Sequence, residues 1–172
     1  MRVAILGNAG SGKSTLARAL AAAANVPVLD LDTAAWEPDQ PAVRRPESLA
    51  RDEVDLFCRN HRHWIVEGCY TSLIEAALVY GPRLIFLNPG LEACVANCRS
   101  RPWETHKYRS KEEQDRNLEF LLSWVADYYV RSGPLSLTAH RDGFEAYLGP
   151  KREFRSALDV QRLDPEFLAW VG

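Results

Sequence analysis

Short unbroken apolar runs alternate along this chain with stretches in which apolar side chains recur every three or four positions. That alternation predicts strands separated by helices. Val3-Ala4-Ile5-Leu6 reads as a first strand that stops at Gly7. Ser14 to Ala24 is rich in alanine and leucine, with Leu16 and Leu20 on one helical face, and ends at Asn25 and Pro27. Val26 to Leu31 predicts a second strand, and Pro46 to Arg62 a helix with Ala50, Val54, Phe57 and Cys58 at helical spacing. Trp64-Ile65-Val66 predicts a third strand and Thr71 to Tyr80 a short helix. Leu84 to Leu87 follows as a fourth strand, then Leu91 to Arg101 as a helix.

Arg101 to Arg109 has no apolar period and reads as an exposed loop. Ser110 then opens a capping box with Glu113. The helix it starts carries Leu118, Leu121, Leu122, Val125 and Tyr129 on one face and stops at Gly133-Pro134. A helix is expected from Ser136 to Leu148, with Leu137, Phe144, Tyr147 and Leu148 facing inward, and a last strand at Ser156 to Val160. Asp164-Pro165 begins a final short helix. No repeat or Gly/Ser-rich linker divides the chain, so residues 1–172 read as one α/β domain. Nearly continuous apolar strands between helices imply a parallel sheet covered on both faces. The ligand crevice of such a sheet lies beyond the carboxyl ends of its strands. Gly7, Asp30, Asp32, Glu67 and Asn88 fall there by this reading.

Composition narrows the classes. Apolar residues make up 47% and charged residues 26% of 172, which excludes collagen-like and disordered chains. With 21 basic against 23 acidic side chains, the chain lacks the basic excess of a dedicated duplex-nucleic-acid binder. No apolar stretch is long enough to span a membrane, and the N-terminal run breaks into glycine too early for a signal peptide. Cys58, Cys69, Cys94 and Cys98 show no C-x-x-C pair or zinc spacing, and read as free thiols in a reducing compartment. The expectation is a cytoplasmic protein, monomeric or weakly dimeric, with no membrane partner.

The strongest local signal is Gly7-Asn8-Ala9-Gly10-Ser11-Gly12-Lys13-Ser14, a match to G-x-x-x-x-G-K-[ST] between a predicted strand and a predicted helix. Its glycines let the backbone fold into a concave nest whose N–H groups point at phosphate oxygens. The helix that follows turns its positive end toward the same anion. Lys13 brings a point charge to the β- and γ-phosphates, and the Ser14 hydroxyl is a ligand for Mg²⁺. Residues 7–15, with Thr15 last, are therefore expected to bind ATP·Mg²⁺.

Three classes of phosphate-loop protein compete: a switch GTPase or motor ATPase, a small-molecule kinase, and an interaction or DNA-associated module. Neither N-K-x-D nor D-x-x-G occurs in the chain, which disfavours the switch GTPases. Two features favour a kinase. Leu29-Asp30-Leu31-Asp32 places two carboxylates at i and i+2, expected on one face of the end of strand two. There they can orient an acceptor hydroxyl and help hold Mg²⁺. The Arg99 to Lys111 stretch holds Arg99, Arg101, Lys107, Arg109 and Lys111 against Glu104 alone. Such a basic flap, over residues 101–112, can close on a triphosphate, exclude water and stabilise transition-state charge.

Residues 7–14, the Asp30/Asp32 pair, Trp64-Ile65-Val66-Glu67-Gly68-Cys69-Tyr70 and the basic loop together resemble the adenylate-kinase/shikimate-kinase superfamily of small P-loop kinases. The chain is more closely similar to bacterial adenylate kinase-related or "DNA topology modulation" proteins. These share a strand-two L-D-x-x-x-W, here Leu31 to Trp36, and a W-[IV]-x-[ED]-G-x-Y segment. The resemblance covers most of the chain, more loosely after Ser110. It implies a three-layer P-loop NTPase fold with a five-stranded parallel sheet of order 2-3-1-4-5, a short lid, and an acceptor region between strands two and three. It also implies roles. Asp32 would contact the acceptor as base or orienter, and Asp30 would sit nearer the metal. Gly68 would let acceptor and backbone approach, Arg99 would lie on adenine or phosphates, and Arg101 or Arg109 would be the lid finger. Cys69-Tyr70 stands where adenylate kinases carry phenylalanine-proline-arginine and shikimate kinases a glycine triplet, so neither acceptor specificity carries over. Nucleotides or nucleosides are the first acceptors to expect, with a DNA-associated regulator or a small-metabolite kinase as alternatives.

Smaller signals complete the reading. Trp36, Tyr70, Trp103 and Tyr108 flank the acceptor and lid regions, where they can stack on a ring or simply pack. Glu67 joins Asp30, Asp32, Trp36, Gly68, Tyr70 and Arg101 as a candidate acceptor contact. His61 and His63 read as surface or capping residues, and His106 and His140 lack metal-type partners. Cys94 and Cys98 read as buried apolar positions on a helix. Arg131 and Lys151 lie where the chain after the lid helix can return to the site.

Overall fold

The computed structural model describes residues 1–37, 43–103 and 109–172. Five parallel strands form one sheet: β1 (Arg2–Gly7), β2 (Val28–Asp30), β3 (Trp64–Gly68), β4 (Arg83–Leu87) and β5 (Lys151–Phe154). Their order is β2-β3-β1-β4-β5, as the resemblance implies. The helices are α1 (Lys13–Ala24), α2 (Leu31–Ala35), α3 (Glu47–Asn60), α4 (Thr71–Leu78), α5 (Leu91–Arg99), α6 (Lys111–Arg116), α7 (Leu118–Asp127), α8 (Leu137–Ala146) and α9 (Pro165–Val171).

The central strand shows why the fold is three-layered. Successive side chains of a strand face opposite ways. On β1, Ala4 and Leu6 join Leu31, Val54, Trp64, Val66, Ile74 and Phe86 in one core. Val3 and Ile5 join Leu16, Leu20, Ile65, Ile85 and Phe167 in the other. Each fully buried Leu, Ile or Phe contributes roughly 1.5–3 kcal/mol. A smaller third cluster, Cys94, Cys98, Leu122 and Val125, locks α5 to α7 beside the phosphate loop, with Ala9 packed against it.

Several elements differ from expectation. The last strand is Lys151–Phe154, not Ser156 to Val160. It pairs only with β4, at the sheet edge, and all four residues are partly exposed, so it carries no apolar run to read. Leu158 and Val160 pack on the α1/α9 core as irregular chain instead. Strand two ends at Asp30, because the Asp30 side chain accepts the Asp32 N–H at 2.9 Å and caps α2. Asp32 therefore sits in the first turn of a helix rather than on the same strand face as Asp30. The helix opened by Ser110 breaks at Asn117, whose side-chain amide donates to the Glu113 carbonyl at 2.9 Å in competition with the backbone ladder. Leu148, expected inside, is exposed beyond the end of α8.

Candidate active site

The phosphate loop links the C-terminal end of β1 to α1. Gly12 caps α1 with φ +96° and Gly10 has φ +75°, backbone conformations that L side chains rarely adopt. A β-carbon on Gly10 would lie closer than 3.0 Å to the Cys94 carbonyl oxygen and 2.8 Å from Cys98 Sγ, so the loop rests directly on α5. Two side chains tie it down. Asn97 Nδ2 donates to Gly10 O at 2.8 Å, and Asn8 Nδ2 donates to Val125 O of α7 at 3.0 Å while its Oδ1 accepts the Ala9 N–H. Neither Asn97 nor the Asn8 contact to α7 was singled out from sequence, since their partners lie 87 and 117 positions away. The buried cysteines of α5, read as plain apolar positions, prove to be the bed of the loop.

Lys13 is buried, and its ammonium donates to Asn8 O at 2.9 Å, folded back over the nest. Ser14 and Thr15 are exposed on the first turn of α1. The Ser11 hydroxyl is buried inside the loop without a hydrogen-bond partner among the described residues. An orphaned donor in a nest of backbone N–H groups fits a phosphate oxygen. Beside the loop, Glu67 on β3 is only 3% exposed and sits in register with Asp30 on β2. Burial raises the Glu67 carboxyl above its usual range; the Lys13 charge pulls it down, Asp30 pushes it up, and a hydrogen bond from Ser14 lowers it. The Ser14 hydroxyl hydrogen-bonds the Glu67 carboxyl and Asp30 acts on it from the next strand; these are oxygen groups of the kind Mg²⁺ accepts alongside water and phosphate.

Between the end of β2 and the start of α4 the structure brings together Asp32, Trp36 and Tyr70, three of the expected acceptor contacts. Tyr70, 5% exposed, donates its hydroxyl to Asp32 Oδ1 at 2.8 Å and accepts the Trp36 indole N–H at 2.8 Å. The Arg44 guanidinium lies 5.8 Å from the Trp36 ring centroid and 5.5 Å from that of Tyr70, carried by a bridge between Trp36 and Arg44. Next to it a cavity of about 200 Å³ is lined by Ala35, Arg44, Arg45, Glu47, Ala50, Ser72 and Leu73. It opens among α2 and the N-termini of α3 and α4, at the same C-terminal end of the sheet as the loop. Arg45 is paired with Glu53, and Arg51 donates to Ser72 O at 2.9 Å. At Gly68 a β-carbon would meet Leu31 Cβ at 2.7 Å, so packing against Leu31 already demands glycine there.

Arg99, in the last turn of α5, and Arg101 line a small cavity with Cys98, Lys111, Asp115 and Leu118, at the root of the expected lid. Arg109 lies just before the Ser110 cap of α6, where its backbone N–H donates to Glu113 Oε2 at 3.0 Å. The capping box forms in part: the Ser110 hydroxyl accepts the Glu113 N–H at 3.2 Å. The readings of Glu104, His106, Lys107 and Tyr108 fall outside the described residues. Lys151 does not turn to the site; its ammonium donates to the carbonyls of Phe144, Glu145 and Tyr147 and closes the end of α8. Arg131 stacks 3.8 Å from the Trp124 ring and donates to Leu135 O, bracing the turn after α7. His61 caps α3 through the Phe57 carbonyl, in keeping with its sequence reading. His140, fully buried, is held between the Tyr128 hydroxyl and the Cys69 carbonyl, both at 2.8 Å.

The chain matches no model of a known protein family and no curated protein. Solved structures match it over nearly its whole length. A shikimate kinase from Bacteroides thetaiotaomicron aligns with a TM-score of 0.55 at 18% identity, covering 99% of this chain and 93% of that one. A gluconokinase from Sinorhizobium meliloti 1021 aligns with a TM-score of 0.54 at 14% identity, covering 99% and 90%. The fold is that of a P-loop kinase. A deoxyadenosine kinase from M. mycoides with bound dATP also matches, with a TM-score of 0.50 at 15% identity, covering 94% of each chain. No helix among the described residues is long and apolar enough to cross a membrane.

Proposed function

We propose that this protein is a small-molecule kinase that moves the γ-phosphoryl group of ATP to an acceptor hydroxyl. One observation carries the reading: the phosphate nest, with Lys13 and the buried Glu67, opens at the same C-terminal end of the sheet as the Asp32–Tyr70 pair, with a cavity beside Arg44. Residues 7–15 hold the phosphates. Bound ATP·Mg²⁺ supplies the phosphoryl group and neutralises charge on its oxygens. Lys13 leaves the Asn8 carbonyl to follow the charge that grows on the transferring group. Ser14 and Asp30 would hold Mg²⁺, which would neutralise phosphate charge, and Asp32 orients the acceptor hydroxyl and takes its proton. Arg99, Arg101 and Arg109 complete the charge around the phosphates when the lid closes.

Acceptors of the adenylate-kinase type, nucleotides and nucleosides, come first, followed by small polyols and sugar acids suited to a cavity lined by Arg44, Arg45, Glu47 and Ser72. The test is an ATP-consumption screen over these classes, read against the rate without acceptor. At least one acceptor should raise the rate well above that reference. Asp32→Asn should then cut turnover by about 10² or more while ATP binding survives. Rapid hydrolysis without acceptor, unchanged by Asp32→Asn, would make the chain an ATPase instead.

A further inference from the structure

The hydrogen bonds around Tyr70 have a direction that chemistry imposes. An indole N–H can only donate. The Trp36 N–H at 2.8 Å therefore occupies a lone pair of the Tyr70 oxygen, and the Tyr70 proton must point elsewhere. Its acceptor is Asp32 Oδ1, also at 2.8 Å. Tyr70 is nearly inaccessible to solvent, so water does not readily compete for that proton. The members come from separate elements: Asp32 from the first turn of α2, Trp36 from its C-cap, and Tyr70 from the N-cap of α4. The relay joins the two segments that bracket the acceptor region.

We propose that Trp36 and Tyr70 are positioning residues that act as one unit, setting the rotation of the Asp32 carboxylate before an acceptor arrives. The proposal rests on the kinase reading for what Asp32 does and on geometry alone for how it is held. Anchoring one oxygen leaves the acceptor hydroxyl a fixed plane to meet; partners that orient metal-ligating side chains, the nearest analogue, matter by ~10–100-fold. Arg44 over both rings keeps the two aromatic planes in place.

A double-mutant cycle tests the unit. Tyr70→Phe should lower kcat of acceptor-dependent transfer by about tenfold or more, with KM for ATP little changed. In an Asp32→Asn background the same change should cost less than about twofold, because its route of action is gone. Equal losses in both backgrounds, or no loss in either, would overturn the proposal, since a packing role multiplies through regardless of Asp32. If Tyr70→Phe does not fold, Trp36→Phe carries the same cycle with a smaller first loss. A second readout needs no turnover. The Trp36 indole N–H resonance, identified by its disappearance in Trp36→Phe, should move on Asp32→Asn in the parent protein and stay put in Tyr70→Phe. An unmoved resonance refutes the relay. A moved one with no acceptor-dependent transfer upholds the relay and refutes the kinase reading.

Discussion

Replacing Gly10 by alanine probes how rigidly the phosphate loop is built onto α5. Two costs add. At φ +75° a β-carbon meets backbone strain of about 1–2 kcal/mol. The same atom would lie closer than 3.0 Å to the Cys94 carbonyl oxygen. That oxygen belongs to the backbone of a helix and cannot swing aside, so the overpacking adds about 1–3 kcal/mol. Gly12 is the internal control: its φ is +96°, yet a β-carbon there meets nothing within 4 Å. Gly12→Ala should therefore cost only the backbone share. The expected gap between the two variants is about 1–3 kcal/mol, or roughly 2–4 °C in Tm for each kcal/mol at this chain length. Urea and thermal unfolding without nucleotide measure it directly. Adding Cys98→Ala to Gly10→Ala should recover little, because it removes the sulfur and leaves the Cys94 oxygen in place. Equal stability of the two glycine variants, or full recovery on trimming Cys98, would show that the loop does not rest on α5 as described.

Lys13→Ala should abolish phosphoryl transfer in any acceptor assay, since its charge matters most as the γ-phosphate leaves; full affinity and turnover in that variant would remove the phosphate-loop assignment. Burial holds His140 at about 4, against 6.5 for an ordinary imidazole. Between those values the unfolded chain binds the extra proton and the native state does not, so stability falls as pH drops through that window, by up to about 3 kcal/mol. Unfolding titrations at pH 7 and near pH 4.5 should show a smaller acid loss in His140→Gln than in the parent; equal losses would mean that His140 is not held neutral in the fold.

The parts that were legible in the sequence are those written in adjacent residues. The loop from Gly7 to Ser14, the unbroken strands at Val3 to Leu6 and Leu84 to Leu87, and the Ser110 cap each need only a few neighbours to be recognised. The edge strand was not legible because an edge faces partners on one side and keeps Lys151, Arg152 and Glu153 among its four residues. Asp30 and Asp32 were legible as a carboxylate pair but not in their local structure. Asp30 spends an oxygen capping α2, and that choice between strand and helix depends on an Asp side chain accepting a backbone N–H two residues on. Around Asp32 the decisive contacts span greater distances: Trp36 to Tyr70 across 34 positions, Tyr70 to Asp32 across 38. No periodicity encodes such a contact; only the sheet order, by setting β2 beside β3, brings the two segments together. The phosphate-loop motif is thus local and readable, whereas its bed on α5 and α7 and the Asp32–Tyr70–Trp36 cluster are assembled by topology. An acceptor class is accordingly better sought from the Asp32–Tyr70–Trp36 geometry than from any stretch of neighbouring residues.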